Sequence, residues 1–307
     1  KSVVFKFSGE NQLVATYKLS IIGVFVAIMI AALVLSSYRY HQELVQFEQQ
    51  ELTQLKTRAK LIDGELAQAV QSLEAIKRFA DHALSFPQEL AAVPEVKQEG
   101  ERFYLDKNRH DVIAHRQHLS VNITGLGQID EFDLGLQQEL AMANMLTPAF
   151  IATQNTIEVA NWFSYISLQR FISLYPWIGR KTWQYHDGLI ERDYFKQIKA
   201  ASPLVFTPVW SQPYVGSAGD SLYVALAAGV YRQQSLTGAV MLNIDLARLR
   251  QVIAEEINDQ DHYVLINQKE QLLLYLDAEA QTANTPRDWH SVLPSELQNL
   301  SYRDVSI

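Results

Sequence analysis

Between Trp162 and Tyr231 the chain carries 15 of its 32 aromatic residues, including four of its five tryptophans. Tryptophan and tyrosine supply apolar walls with polar edges, and one guanidinium among them adds a fixed charge with five donors. Such a combination encloses a small organic molecule. The candidate pocket comprises Tyr175, Trp177, Trp183, Arg192, Tyr194, Trp210, Tyr214 and Asp220. Aromatic faces also attract cations, so residue types alone leave an amine, a carboxylate and an amino-acid-like ligand open. A plainer reading competes with this one. Sheets bury Trp and Tyr routinely, so about half of these rings suit packing alone, and Arg192 could sit at the surface paired with Glu191 or Asp193.

Other chemistry is sparse. His110, His115 and His118 lie in a hydrophilic stretch with no carboxylate at a matching position, so no metal site is expected and no cofactor is assigned. The chain has no HExxH, Walker A, GxSxG or GxGxxG pattern, and Gly216-Ser217-Ala218-Gly219 is too short for a nucleophile elbow. No catalytic residue is expected in this segment. With 26 Lys+Arg against 34 Asp+Glu, the net charge of −8 argues against nucleic acid as a partner. The absence of cysteine excludes disulfides and thiolate chemistry.

The elements that must hold the pocket begin with an anchor. Residues 19–38, between Lys18 and Arg39, contain no charge. Twenty helical residues reach about 30 Å, a bilayer's hydrocarbon thickness. The run is longer than a signal-peptide core. Lys1, Lys6 and Lys18 precede it and Glu43, Glu48 and Glu51 follow, which places the N-terminus in the cytoplasm and about 270 residues outside. From Val45 apolar residues recur at heptad spacing through Leu52, Leu55, Ala59, Ile62, Leu66, Ala69, Leu73, Ile76, Ala80 and Ala83, with no proline until Pro87. This predicts one continuous helix whose stripe meets a second copy of the chain, giving a homodimer through residues 45–83, or the protein's own sheet, or a second copy near the membrane and the sheet farther out.

Residues 87–130, punctuated by Pro87, Pro94 and Gly100, read as loop with a short helix. NWFSYISL and RFISLYP read as a strand pair, IERDYFKQIKAAS as a helix ending at Pro203, and LVFTPVWSQPYV, DSLYVALAAGVY and GAVMLNIDL as three strands, followed by a helix at 247–257. The simplest architecture is α+β: an antiparallel five-stranded sheet with helices on one face. Residues 262–276 read as a further strand-turn-strand.

This order, together with YPW (175–177), RDYF (192–195), VWSQPY (209–214) and TGAVMLNIDLARL (237–249), resembles the double Cache sensor domain of bacterial histidine kinases, diguanylate cyclases and chemoreceptors. The resemblance covers about residues 40–300 and implies tandem PAS-like antiparallel sheets on a long N-terminal helix. It divides the chain into a cytoplasmic N-terminus (1–18), a transmembrane helix (19–38), a signalling and dimerisation helix (39–86), a membrane-distal ligand-binding module (87–257) and the start of a membrane-proximal module (258–307). Amino-acid-binding members carry an Arg-x-aromatic-aromatic run, matched by Arg192, Tyr194 and Phe195, in which the arginine takes the ligand carboxylate. Their next pattern, W-x-x-P-Y-x-D, is matched by Trp210, Pro213 and Tyr214, but Gly216 stands where the amine-binding Asp belongs, with Asp220 as a substitute four residues on. The resemblance implies a receptor in the bacterial inner membrane with its main domain in the periplasm. Its output is a histidine kinase, or alternatively a diguanylate cyclase or chemoreceptor, lying past Ile307 in a longer protein. A module that binds a periplasmic partner protein is the further alternative.

Overall fold

The computed structural model describes residues 9–90, 92–105, 121–216, 221–254, 263–266 and 272–276. His110, His115, His118 and Asp220 lie outside the described residues.

Helix α1 runs from Gly9 to Ser85, so the apolar segment and the helix after it are one element. Its end has a local cause: Ser85 Oγ donates to the Asp81 carbonyl at 2.8 Å, and Pro87, which has no N–H to continue the ladder, opens a 3-10 turn at Pro87–Glu89. Two compact units divide the chain between Ala59 and Lys60. In the first, the charge-free stretch of α1 leaves Ile22, Phe25 and Leu33 exposed, and among the described residues α1 alone is long and apolar enough to cross a membrane.

The second unit is built on one antiparallel sheet of nine strands. After α1 come β1 (Lys97–Glu99), β2 (Arg102–Leu105), β3 (Asn122–Leu126), α2 (Leu134–Met145) and α3 (Thr147–Gln154). Then follow β4 (Ala160–Ser167), β5 (Phe171–Tyr175), α4 (Asp193–Ala200), β6 (Val209–Trp210), β7 (Tyr214–Val215), β8 (Leu222–Arg232), β9 (Ser235–Asp245) and α5 (Leu246–Ala254). The strand order is β1-β2-β3-β5-β4-β9-β8-β6, with β7 also on β8. β10 (Tyr263–Ile266) and β11 (Leu272–Leu276) form the hairpin expected at 262–276.

The α+β class and the strands of the centre agree with the sequence. Gln233 and Gln234, both at positive φ, make the two-residue turn of the β8–β9 hairpin. Three expectations are corrected. The sheet has nine strands instead of five, because 87–130, read as loop, contributes β1, β2 and β3 and one expected strand divides in two. LVFTPVWSQPYV is two short strands, β6 and β7, interrupted before Pro213, whose ring removes a ladder donor. Helices also cover both faces of the sheet.

Strand alternation decides what lies on which face. Phe163, Tyr165, Phe171, Tyr175, Val224, Leu226, Val240 and Leu242 point to α1, α2 and α3, where Leu73, Ile76, Ala80, Leu140 and Phe150 meet them. Ile166, Ile172, Leu174, Ala225, Ala227 and Met241 point to the other face, under Tyr185, Leu189 and α4 residues Tyr194, Phe195 and Ile198. The heptad stripe is thus divided. Ala69, Leu73, Ile76, Ala80 and Ala83 are buried on the protein's own sheet, whereas Val45 and Leu52 remain exposed. The far half of the stripe is therefore taken up by the protein's own sheet, the intramolecular part expected of a seam that changes partner along the helix.

Candidate functional site

The second face of the sheet holds a hollow in two tiers. The inner chamber, of about 50 Å³, lies against the sheet and is lined by Trp162, Ser164, Trp183, Tyr194, Tyr214 and Tyr223, with Arg192 and Asn243. Outside it a cleft of about 640 Å³ runs between the start of α4 and the β6–β7 segment, with Trp210, Pro213, Val215, Lys196 and Gln197 on its walls. Arg192, Tyr194 and Tyr214 line both tiers and form their common boundary.

Register explains the inner wall. Trp162 is paired with Asn243, and Ser164 lies between Leu174 and Met241, so these side chains share one face on three adjacent strands. The small Ser164 side chain leaves room that a larger residue would fill. The opposite wall comes from α4, whose Phe195 and Ile198 fasten the helix to the sheet and carry Tyr194 over the hollow.

The wall is rich in polar groups left without partners. Trp162 Nε1, Ser164 Oγ and Tyr194 Oη are buried and have no hydrogen-bond partner among the described residues. Arg192 makes no ion pair among the described residues: Asp193 is held by Lys196 at 3.2 Å, and the Arg192 guanidinium lies 4.7 Å from the centroid of the Tyr214 ring. The surface-pair reading of Arg192 is therefore corrected. Tyr214 donates from its hydroxyl to Asn243 Oδ1 at 2.9 Å. Burial pushes the Tyr194 hydroxyl up to about 12, with Arg192 opposing, and burial likewise raises Tyr214. Both phenols are thus neutral at physiological pH and can donate. A buried donor without an acceptor costs about 1–3 kcal/mol, so a cluster of them beside an unpaired cation suits an incoming acceptor or anion.

Of the eight residues expected from sequence, the structure brings Trp183, Arg192, Tyr194, Trp210 and Tyr214 together. Tyr175 is not among them. It has the parity of Phe163 and Phe171, points to the helical face, and donates to Gln154 Oε1 at 2.9 Å. Trp177 is half-buried in the segment after β5 and lines neither tier. Trp162, Ser164, Tyr223 and Asn243 were missed. Their signal was parity: in NWFSYIS the even positions face away from Phe163 and Tyr165.

Gly216 has a steric reason. A Cβ there would lie 2.4 Å from Cε2 of Tyr223, a ring only 3% exposed. The aspartate of the related pattern has no space at 216 while Tyr223 occupies it. Gly216→Ala is expected to lose about 1–3 kcal/mol by overpacking, read as a lowered urea midpoint, and Gly216→Ala with Tyr223→Ala is expected to recover part of that loss.

No family model matches the chain, and no curated protein sequence matches it. Among solved structures it is similar to the ligand-binding domain of Campylobacter jejuni chemoreceptor Tlp3 in complex with L-norvaline, at 10% identity over 72% of this chain and 68% of that one, with a TM-score of 0.37. It is also similar to the ligand-binding domain of the Pseudomonas aeruginosa amino acid chemoreceptor PctC in complex with GABA (15% identity, 44% of this chain, 57% of that one, TM-score 0.33). A third is that of Pseudomonas fluorescens chemoreceptor CtaA in complex with L-serine (17%, 44%, 53%, TM-score 0.32). The chain thus spans little more than half of the two Pseudomonas domains. All three similar structures are ligand-binding domains of bacterial chemoreceptors.

Proposed function

We propose that this chain is the extracytoplasmic sensing portion of a bacterial inner-membrane receptor, and that it binds a small ligand bearing a carboxylate at Arg192. The observation that carries the reading is Arg192, without an ion pair among the described residues, at the mouth of an aromatic chamber whose buried Trp162, Ser164 and Tyr194 polar atoms have no partner among those residues. The apolar run at 19–38 anchors the protein, with the N-terminus in the cytoplasm and the sheet domain in the periplasm. A single sheet separates the chamber from α1: Ser164 faces the ligand side, while its neighbours Phe163 and Tyr165 face the helices. A ligand that prefers one arrangement of that sheet shifts α1 by its differential affinity for the two states. The recipient of that shift is a histidine kinase or a chemoreceptor output module, and the segment itself performs no catalysis.

The test is calorimetry on the full chain in lipid nanodiscs against amino acids, amines and short carboxylic acids. Loss of a charge-assisted pair of about 1.5–3 kcal/mol predicts roughly 10- to 100-fold weaker binding of the carboxylate ligand by Arg192→Ala. Trp210→Ala, which trims the outer cleft, weakens it less. Absence of any ligand, or unchanged affinity in both variants, removes the proposal.

A further inference from the structure

We infer that the ligand is a short carboxylic acid with a hydroxyl or keto group, and no ammonium, next to its carboxylate. The inference rests on the sensing function proposed above and concerns what the inner chamber accepts once Arg192 holds the acid group.

Three features of the chamber select this chemistry. The first is size. A buried water needs about 10–15 Å³, so the chamber's 50 Å³ admits about three or four non-hydrogen atoms, and Arg192 at its mouth fixes where the carboxylate stops. The second is the sign of the wall. Trp162 Nε1 can only donate, and so can Arg192. The acceptor oxygen of Asn243 already takes the Tyr214 hydroxyl, while its amide nitrogen can only donate. Among the described lining residues none is acidic. The third is position 216, where the Tyr223 ring takes the volume that a carboxylate side chain would need to reach an amine.

An ammonium in this chamber has three protons to place and, among the described lining residues, only uncharged hydroxyl and amide oxygens to receive them, with the Arg192 cation beside it. A buried charge that is not fully paired is costly. A hydroxyl needs one donor and one acceptor. Trp162 Nε1 supplies the first and Ser164 Oγ or Tyr194 Oη the second, which satisfies groups that otherwise lack partners. A keto oxygen takes Trp162 Nε1 and either hydroxyl as donors. Sites built around such buried polar groups discriminate strongly against a ligand that leaves them unpaired.

L-Lactate, propionate and L-alanine share one carbon skeleton and differ at the second carbon alone, so they test the inference directly. Calorimetry on the full chain in nanodiscs is expected to show lactate binding about tenfold or more tightly than alanine, and more tightly than propionate. Ser164→Ala and Trp162→Phe are expected to bring the ratio of lactate to propionate affinity close to one. An unshifted urea midpoint in these variants separates lost contacts from lost fold. Alanine as tight as lactate, lactate no tighter than propionate, or a lactate advantage that survives both substitutions overturns the inference. If none of the three binds while another compound binds in an Arg192-dependent way, the inference fails and the sensing function stands. If nothing binds, or binding ignores Arg192, both fail.

Discussion

Replacing Glu139 by leucine is expected to destabilise the sheet domain by about 3–5 kcal/mol, seen as a much lower urea midpoint of the full chain followed by tryptophan fluorescence. Glu139 sits on α2 with no exposed surface, against the helical face of the sheet. Its carboxylate accepts the Tyr165 hydroxyl at 2.6 Å and the Gln169 amide at 2.8 Å. Leucine matches the volume but accepts nothing. Tyr165, itself fully buried, keeps only the Thr237 hydroxyl at 3.3 Å, the Gln169 amide keeps no acceptor there, and the nearby Arg232 loses its opposing charge. A loss near zero would mean that water or a rearranged Arg232 takes over the acceptor role.

The same residue gives a pH dependence with a definite sign. Burial raises Glu139 above the usual carboxylate range, and the bonds from Ser167, Tyr165 and Gln169, with the Arg232 charge, oppose the rise without cancelling it. A carboxyl whose folded value is raised binds more protons in the folded state. Its stabilising contribution is therefore complete below the unfolded value of 4.5 and is lost as pH rises through the folded value. Glu139→Gln has no such titration. The wild-type advantage over this variant is expected to be largest in acid and to shrink toward neutrality, as read from urea midpoints across that range.

How much of this was legible beforehand varies by element. The aromatic and β-branched runs gave β4, β5, β8 and β9, because alternation between two apolar faces leaves long hydrophobic strings such as LYVALAAGV. β1, β2 and β3 were hidden because they are short, and β1 is fully exposed, so no apolar pattern marks it. Helices α2 and α3 drew no expectation at all. The cap of α2 at Asp133, which accepts from the Leu136 amide at 2.7 Å, and Pro148 in the first turn of α3 were the available signals. At the site, residue type found Arg192, Tyr194 and Tyr214, but type cannot tell which face of a strand a ring occupies. Tyr175 was therefore included and Trp162 left out. Gly216 was visible as a departure from the related pattern, whereas its cause, the Tyr223 ring, required the β7–β8 pairing of Tyr214 with Tyr223.

Leu73→Ala is expected to cost about 3–5 kcal/mol, and Leu61→Ala less than about 0.5 kcal/mol, both read as shifts in urea midpoint. The two leucines lie twelve residues apart on one uninterrupted helix and have the same intrinsic propensity, so only their surroundings differ. Leu73 is fully buried in the core that α1 shares with α2, α3 and the sheet, while Leu61 is 54% exposed. Truncating Leu73 leaves a cavity that the sheet cannot close, because the polar bonds on either side of it pin the helix. Gln68 donates to the Thr156 carbonyl at 3.1 Å, and Asp81 accepts the Tyr231 amide at 2.8 Å while paired with Lys77 at 2.5 Å. Truncating Leu61 removes a side chain that already meets solvent. Leu61 lies beside the heptad stripe, whose Ile62 packs against the same core as Leu73, so a small loss at Leu61 and a large one at Leu73 show that the covered face of α1 is narrow, while Val45 and Leu52 stay exposed. Equal losses that depend on protein concentration would mean that a second copy covers Leu61, so that dimer contact continues up to the edge of the sheet domain.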